Sequence, residues 1–193
     1  MASLAAIGLA DLALYEGRLN DARKILEAGI EDDLKNKFED EANLKSVMLS
    51  QTLLAQGKMK EAIQAADRLA ASSKKGSDLF SIALVYIQAG QPEQALKIAA
   101  EFTGKLNPEL QAYTRLIEGE TMLKKGSAPE AAKLFHESQG LLDTWLSHLA
   151  LGRAYLEANE YIEAHSEFDM CLKRRGEATS IFLDDLPSYR YFG

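Results

Sequence analysis

The stretch LALGRAYLEANEYIEAHSEF, Leu149 to Phe168, decides how this chain is read. Before Asn159 the apolar residues Leu151, Ala154, Tyr155 and Ala158 recur at i, i+3, i+4 and i+7, and after it Tyr161, Ala164 and Phe168 recur at i, i+3 and i+7, the spacing of one helix face. Two helices therefore meet at Asn159. Gly152 lies seven residues before it, Ala164 five residues after it, and the bulky Tyr155 and Phe168 stand on either side. Antiparallel helices cross closely only where side chains are small, so Gly152 is expected to face Ala164. Tyr155 and Phe168 are expected to fill the groove toward the next hairpin.

Working outward, the same pattern appears four more times: YEGRLNDA around Gly17, AQGKMKEA around Gly57, QAGQPEQA around Gly90 and KKGSAPEA around Gly126. The turn residues are separated by 40, 33, 36 and 33 positions. Five residues after each turn comes an alanine: Ala22, Ala62, Ala95, Ala131 and Ala164. Seven residues before each turn stand Ala10, Ser50, Ala83, Gly119 and Gly152, all small. A residue that ends one helix and reverses the chain takes a left-handed conformation, open to Gly and tolerated by Asn. Positive φ is therefore expected at Gly17, Gly57, Gly90, Gly126 and Asn159. The first helices are predicted over about 3–16, 43–56, 76–89, 109–125 and 144–158. The long first interval is assigned to EDDLKNKFEDE, Glu31 to Glu41, read as a solvated extension of the flanking helices.

A period in the thirties built from helix pairs marks a helical solenoid. The residues Leu151, Gly152, Tyr155, Asn159, Tyr161, Ala164 and Phe168 resemble the tetratricopeptide repeat pattern, and the other four copies resemble it more loosely. The resemblance implies an all-α, right-handed superhelical α-solenoid of antiparallel helix pairs, with about five repeats and an incomplete sixth. Its boundaries are expected at 3–36, 43–75, 76–111, 112–144 and 145–176 of a single array, 1–193, with 177–193 opening a further repeat. Gly176 to Gly193, GEATSIFLDDLPSYRYFG, is also similar to the repeat regions that follow the catalytic domain of bacterial serine/threonine kinases of eukaryotic type. From both ends of the sequence, a segment of a longer signalling or regulatory protein is expected.

Composition narrows the classes of function. The chain has 193 residues, 47% hydrophobic and 26% charged, and a net charge of −7. Acidity of this size disfavours phosphate backbones as partners. A lone cysteine, Cys171, excludes a disulfide scaffold. The N-terminal MASLAAIGLADLALYEG lacks a basic n-region and is interrupted by Asp11, so no signal peptide is read there. A cytoplasmic location is expected, or a periplasmic one if the parent chain carries a transmembrane segment.

No catalytic set emerges. His136, His148 and His165 lack metal-ligand spacing, although His148 and His165 could approach each other within one hairpin. Cys171, three residues after Phe168, is read as an inert thiol packed toward a following hairpin. No cofactor is implied. The resemblance instead implies a concave groove lined by the first helices that takes an extended peptide or an amphipathic helix. Met48, Gln51, Phe80, Leu84, Tyr113, Ile117, Glu120 and Arg153 are the candidate groove residues, with Arg153 read as paired to Glu157. The carboxylate clamp of one subfamily, Lys and Asn at two groove positions, is replaced here by Val47 with Gln51, Phe80 with Leu84 and Leu149 with Arg153. The expected function is a non-catalytic protein-interaction scaffold. The alternatives are a helical-repeat nucleic-acid binder and a self-associating segment that dimerises through terminal residues such as Tyr189 to Phe192.

Overall fold

A computed structural model describes residues 3–179, and every regular element among them is helical. The 177–193 segment, including Tyr189 to Phe192, lies almost wholly outside the described residues. Ten α-helices are described: α1 (Ser3–Tyr15), α2 (Leu19–Lys35), α3 (Glu39–Ala55), α4 (Met59–Ser72), α5 (Gly76–Gln88), α6 (Pro92–Phe102), α7 (Pro108–Lys124), α8 (Ala128–Leu141), α9 (Trp145–Glu157) and α10 (Tyr161–Lys173). A short 3-10 turn covers Arg175–Thr179. The five first helices fall within a few residues of their expected bounds. The largest departure is α3, which starts four residues early.

The chain divides into two compact units, described over residues 3–91 and 92–179. In the first unit α1 pairs with α2 and α3 with α4, α2 packs on α3, and α5 lies against α3 and α4. In the second, α7 pairs with α8 and α9 with α10, while α6 packs on α7 and α8 on α9.

All five turn residues have positive φ, with Asn159 at 63°. Asn159 tolerates this conformation despite its Cβ because a short polar side chain can hydrogen-bond locally, and its Oδ1 accepts from the Tyr161 hydroxyl at 2.7 Å. Each turn amide is also absorbed by the helix it ends: Asn159 N–H donates to Leu156 O at 3.1 Å and Glu160 N–H to Tyr155 O at 2.8 Å. Two left-handed residues lie outside the expected set, Lys37 at 61° and Gly104 at 86°. Both end second helices, α2 and α6, where the repeat pattern has no fixed turn residue.

The long interval does extend both of its neighbours, since α2 runs to Lys35 and α3 begins at Glu39. Its character differs from expectation. Asp33 is buried, ion-paired to Lys45 on α3, and the Lys45 Nζ also donates to Ser3 Oγ at 2.7 Å. Three helices are thus tied by one ammonium group. Gly29 makes room for it: a methyl added there would lie 2.9 Å from the Lys45 Cδ.

The crossings of α7 with α8 and of α9 with α10 are tighter than the sequence suggests. A β-carbon at Gly119 would overlap the Phe135 ring, and one at Gly152 would sit 2.7 Å from the Phe168 ring. Gly152 therefore serves the phenylalanine four residues beyond Ala164, not Ala164 itself. At the same register the other second helices carry Leu26, Ala66 and Ala99, and the first helices carry Ala10, Ser50 and Ala83. A hydrogen is needed only where a ring stands opposite. Phe135 is wholly buried, whereas Tyr155 and Phe168 are half-buried.

Helix starts follow local chemistry. The Asn107 side chain accepts from Glu109 N and Leu110 N at the head of α7, ahead of Pro108 in the first turn. Thr144 and Ser147 form a reciprocal capping box at the head of α9. Trp145 then donates its indole N–H to Cys171 O at 3.0 Å, fastening the start of α9 to the end of α10.

Candidate functional site

The eight candidate groove residues split evenly. Met48 belongs to the core with Ile7, Ala10 and Leu26, and Phe80 is buried on α5. Tyr113 and Ile117 have no exposed surface. The Tyr113 ring lies 6.2 Å from that of Phe102 on α6, and its hydroxyl donates to Glu109 at 2.9 Å. These four hold helices together and cannot touch a ligand without unfolding, so they leave the candidate set.

The four that keep exposed surface, Gln51, Leu84, Glu120 and Arg153, share one register position, six residues before the turn residue of their repeat. Four residues further along each helix, on the same face, stand Ala55, Gln88, Lys124 and Glu157, all exposed. Tyr15 on α1 is the fifth member of that second row, 59% exposed. Asp11, six residues before Gly17, is buried. This accessible row thus consists of two residues on each of α3, α5, α7 and α9, and of Tyr15 alone on α1.

In the second unit this face carries its own link. Arg153 Nη1 on α9 donates to Glu120 Oε1 on α7 at 2.9 Å, so Arg153 pairs across helices and not with Glu157 on its own helix. Burial pushes the Glu120 carboxyl above its ordinary value, Arg153 pulls it back down, and Glu157 adds a further push upward. The outcome is a partly desolvated carboxylate held beside an exposed guanidinium, an arrangement suited to exchanging partners with an incoming polar chain.

The histidines do not converge. His165 and His136 are exposed, while His148 is buried, with Nδ1 2.5 Å from Glu167 Oε2 and 2.9 Å from Gln139 Nε2. Its Nε2 lies 2.9 Å from Asp143 Oδ1 without the alignment of a hydrogen bond. Asp143 is in turn bound by Arg174 at 2.7 Å. Burial would raise the Asp143 carboxyl, but Arg174 and then His148 outweigh it and hold the group below its usual range. Arg174 bridges Asp143, before α9, to Glu177, beyond α10. Among the described residues no group of three or more His, Cys, Asp or Glu is placed to hold a metal ion.

Cys171 faces α9, the partner helix of its own hairpin, with Sγ 3.8 Å from Trp145 O. Burial pushes the thiol up from its ordinary value to about 11, and Glu167 adds to the shift. Little thiolate exists near neutrality, so the native protein should label with a thiol-specific disulfide reagent at pH 8 much more slowly than the urea-unfolded chain. Equal rates would contradict the burial. The linkage has a definite sign. Between the ordinary thiol value and about 11 the native state keeps a proton that the unfolded chain loses, so stability should fall as pH rises through that window. Urea midpoints measured across it provide the check, with Cys171→Ala as the variant that flattens the slope.

Among the described residues no helix is long and apolar enough to cross a membrane.

Residues 7–77 match the family model for the tetratricopeptide repeat. No curated protein matches the chain. Among solved structures the chain is similar to a thermophilic TPR protein of Thermus thermophilus, with 19% identity, a TM-score of 0.68, and 93% of this chain and 95% of that one covered. It is also similar to BtubC (BKLC) of P. vanneervenii, with 16% identity, a TM-score of 0.57, and 95% and 83% covered. The MamA protein aligns at 13% identity and a TM-score of 0.51, covering 96% and 98%. At these identities the likeness is one of fold.

Proposed function

We propose that this chain, whose residues 7–77 match the tetratricopeptide-repeat model and whose fold is that of tetratricopeptide-repeat structures, is a non-catalytic scaffold binding a peptide or amphipathic helix along its first helices. The observation that carries the reading is the accessible two-residue row. In the first unit it offers Gln51 with Ala55 and Leu84 with Gln88, neutral and partly apolar; in the second it offers Glu120 with Lys124 and Arg153 with Glu157, fully charged. The first row suits a neutral, partly apolar segment and the second a charged one. Placement of the chain within a larger signalling or regulatory protein belongs to the same proposal.

Affinity capture with the purified chain, followed by variants of each row, tests it. Leu84→Asp with Gln88→Glu, and separately Lys124→Glu with Arg153→Glu, should each weaken the captured partner about tenfold or more, the loss expected when a central contact is removed. Ile162→Glu, on an exposed site of α10 outside the rows, should leave capture unchanged. Capture insensitive to both row variants would overturn the reading. Low-salt gel shifts separate it from nucleic-acid binding, which a charge of −7 opposes.

Self-association is a second reading, and α1 favours it. Leu4, Leu9, Leu12 and Tyr15 are all exposed on this helix, between 45% and 64%. An apolar face of this kind in water invites a cover. Sedimentation at several protein concentrations distinguishes a dimer from a monomeric scaffold.

A further inference from the structure

Helix α3 has a second open side. At 100° per residue, Ser46 and Leu49 project roughly opposite to Gln51, with Asn43 beside Ser46. There they meet Ile30 and Leu34 of α2 and Arg68, Leu69 and Ser72 of α4 around a cavity of about 260 Å³, formed entirely within the first unit. Its floor is aliphatic, and Leu34 remains 58% exposed at its edge. The volume falls below the range of about 300–1,000 Å³ usual for small-molecule sites and suits one or two side chains instead.

The charge at this cavity is unbalanced. Arg18, Arg23, Arg115, Arg153 and Arg174 each hold a carboxylate of this chain. Arg68, on the cavity rim, has no carboxylate partner among the described residues, and none of the cavity's lining residues is acidic. The nearest acidic residue in sequence, Asp67, is engaged by the Tyr86 hydroxyl at 2.7 Å. In a chain with 29 acidic residues against 22 basic ones, a guanidinium left without a carboxylate beside an aliphatic floor is a place for an external anion on an apolar support. The polar rim adds the Asn43 amide and the Ser72 hydroxyl, which lie 3.5 Å apart and are only weakly joined to each other.

We propose that the cavity between α2, α3 and α4 binds an acidic, leucine-bearing peptide segment, its aliphatic side chain on Ile30, Leu49 and Leu69 and its carboxylate on Arg68. This site lies on a different face from the first-helix rows and does not rest on them. A partner could therefore be held on two sides of one helix, or two partners at once.

The test uses the full chain labelled with ¹⁵N and two synthetic probes, acetyl-Leu-Glu-Leu-Glu-amide and its uncharged isostere acetyl-Leu-Gln-Leu-Gln-amide. The acidic peptide should shift the amide signals of Asn43, Ser46, Leu49 and Arg68, and should bind about fivefold more tightly than the neutral one, the upper range for an exposed ion pair. Arg68→Gln, a surface change, should abolish the difference while leaving the unliganded spectrum otherwise intact. Leu49→Ala should weaken both peptides together. The proposal is overturned by shifts that map elsewhere, by equal binding of the two peptides, by an acid preference that survives Arg68→Gln, or by sedimentation showing that a second copy of the chain already fills the cavity. A result confined to the first-helix rows would overturn it too, while leaving the scaffold reading intact.

Discussion

Replacing Asp33 by alanine should destabilise the protein by about 3–5 kcal/mol, the cost of leaving a buried charge without its partner. Lys45 has no exposed surface. Without Asp33 its ammonium keeps the Ser3 hydroxyl, a neutral acceptor that cannot offset the lost hydration of a full charge. Surface pairs of this chain, such as Lys35 with Glu31, should by contrast change stability little when broken, because both groups stay in water. The comparison that isolates the cause is the double variant Asp33→Leu with Lys45→Met. It removes both charges and keeps the volume, and should recover most of the loss. Urea unfolding of the parent and these variants measures this. If Asp33→Ala unfolds within about 1 kcal/mol of the parent, the range of ordinary surface changes, the ion pair is not buried as described.

Phe135→Ala is expected to cost a similar amount, about 3–5 kcal/mol, because a fully buried ring is removed from the α7–α8 crossing. Its partner makes the experiment informative. Gly119→Ala alone should cost about 1–3 kcal/mol by overpacking, since the new methyl would overlap a ring that has nowhere to move. The better helix propensity of alanine offsets part of that, by up to about 1 kcal/mol. Combined, the two changes should cost clearly less than their sum, because the methyl enters space the ring has vacated. Strict additivity in denaturant would show that Gly119 and Phe135 do not meet. The same pair of changes at Gly152 and Phe168 should be milder, since Phe168 is half-buried and can turn toward solvent.

The turns were legible because their physics is local. One left-handed residue, a small residue seven positions before it and an alanine five after it fix a hairpin without reference to distant chain, and all five appeared where expected. The Asp33–Lys45 pair was not legible, since the partners are 12 residues apart across a reversal and Asp33 sits in a run that reads as solvated. A signal was available in Lys45 itself. It stands three residues after Ala42 and three before Met48, on the buried stripe of α3, where a lone lysine needs an anion. The candidate groove was half legible for a related reason. Repeat arithmetic places a residue on a helix face but does not say how far the neighbouring helix covers that face. Thus Tyr113 went to Phe102 and α6, while Arg153 reached back 33 residues to Glu120.

The fitting of a ring against a hydrogen in α7–α8 bears on how such a sequence can drift over generations. Neither Gly119 nor Phe135 can be exchanged first without loss: a side chain at one collides, and a smaller group at the other leaves a void. The route between this hairpin and the alanine-rich type runs through a weakened ancestor or through two changes arriving together. Inherited variation at these two sites should therefore be correlated.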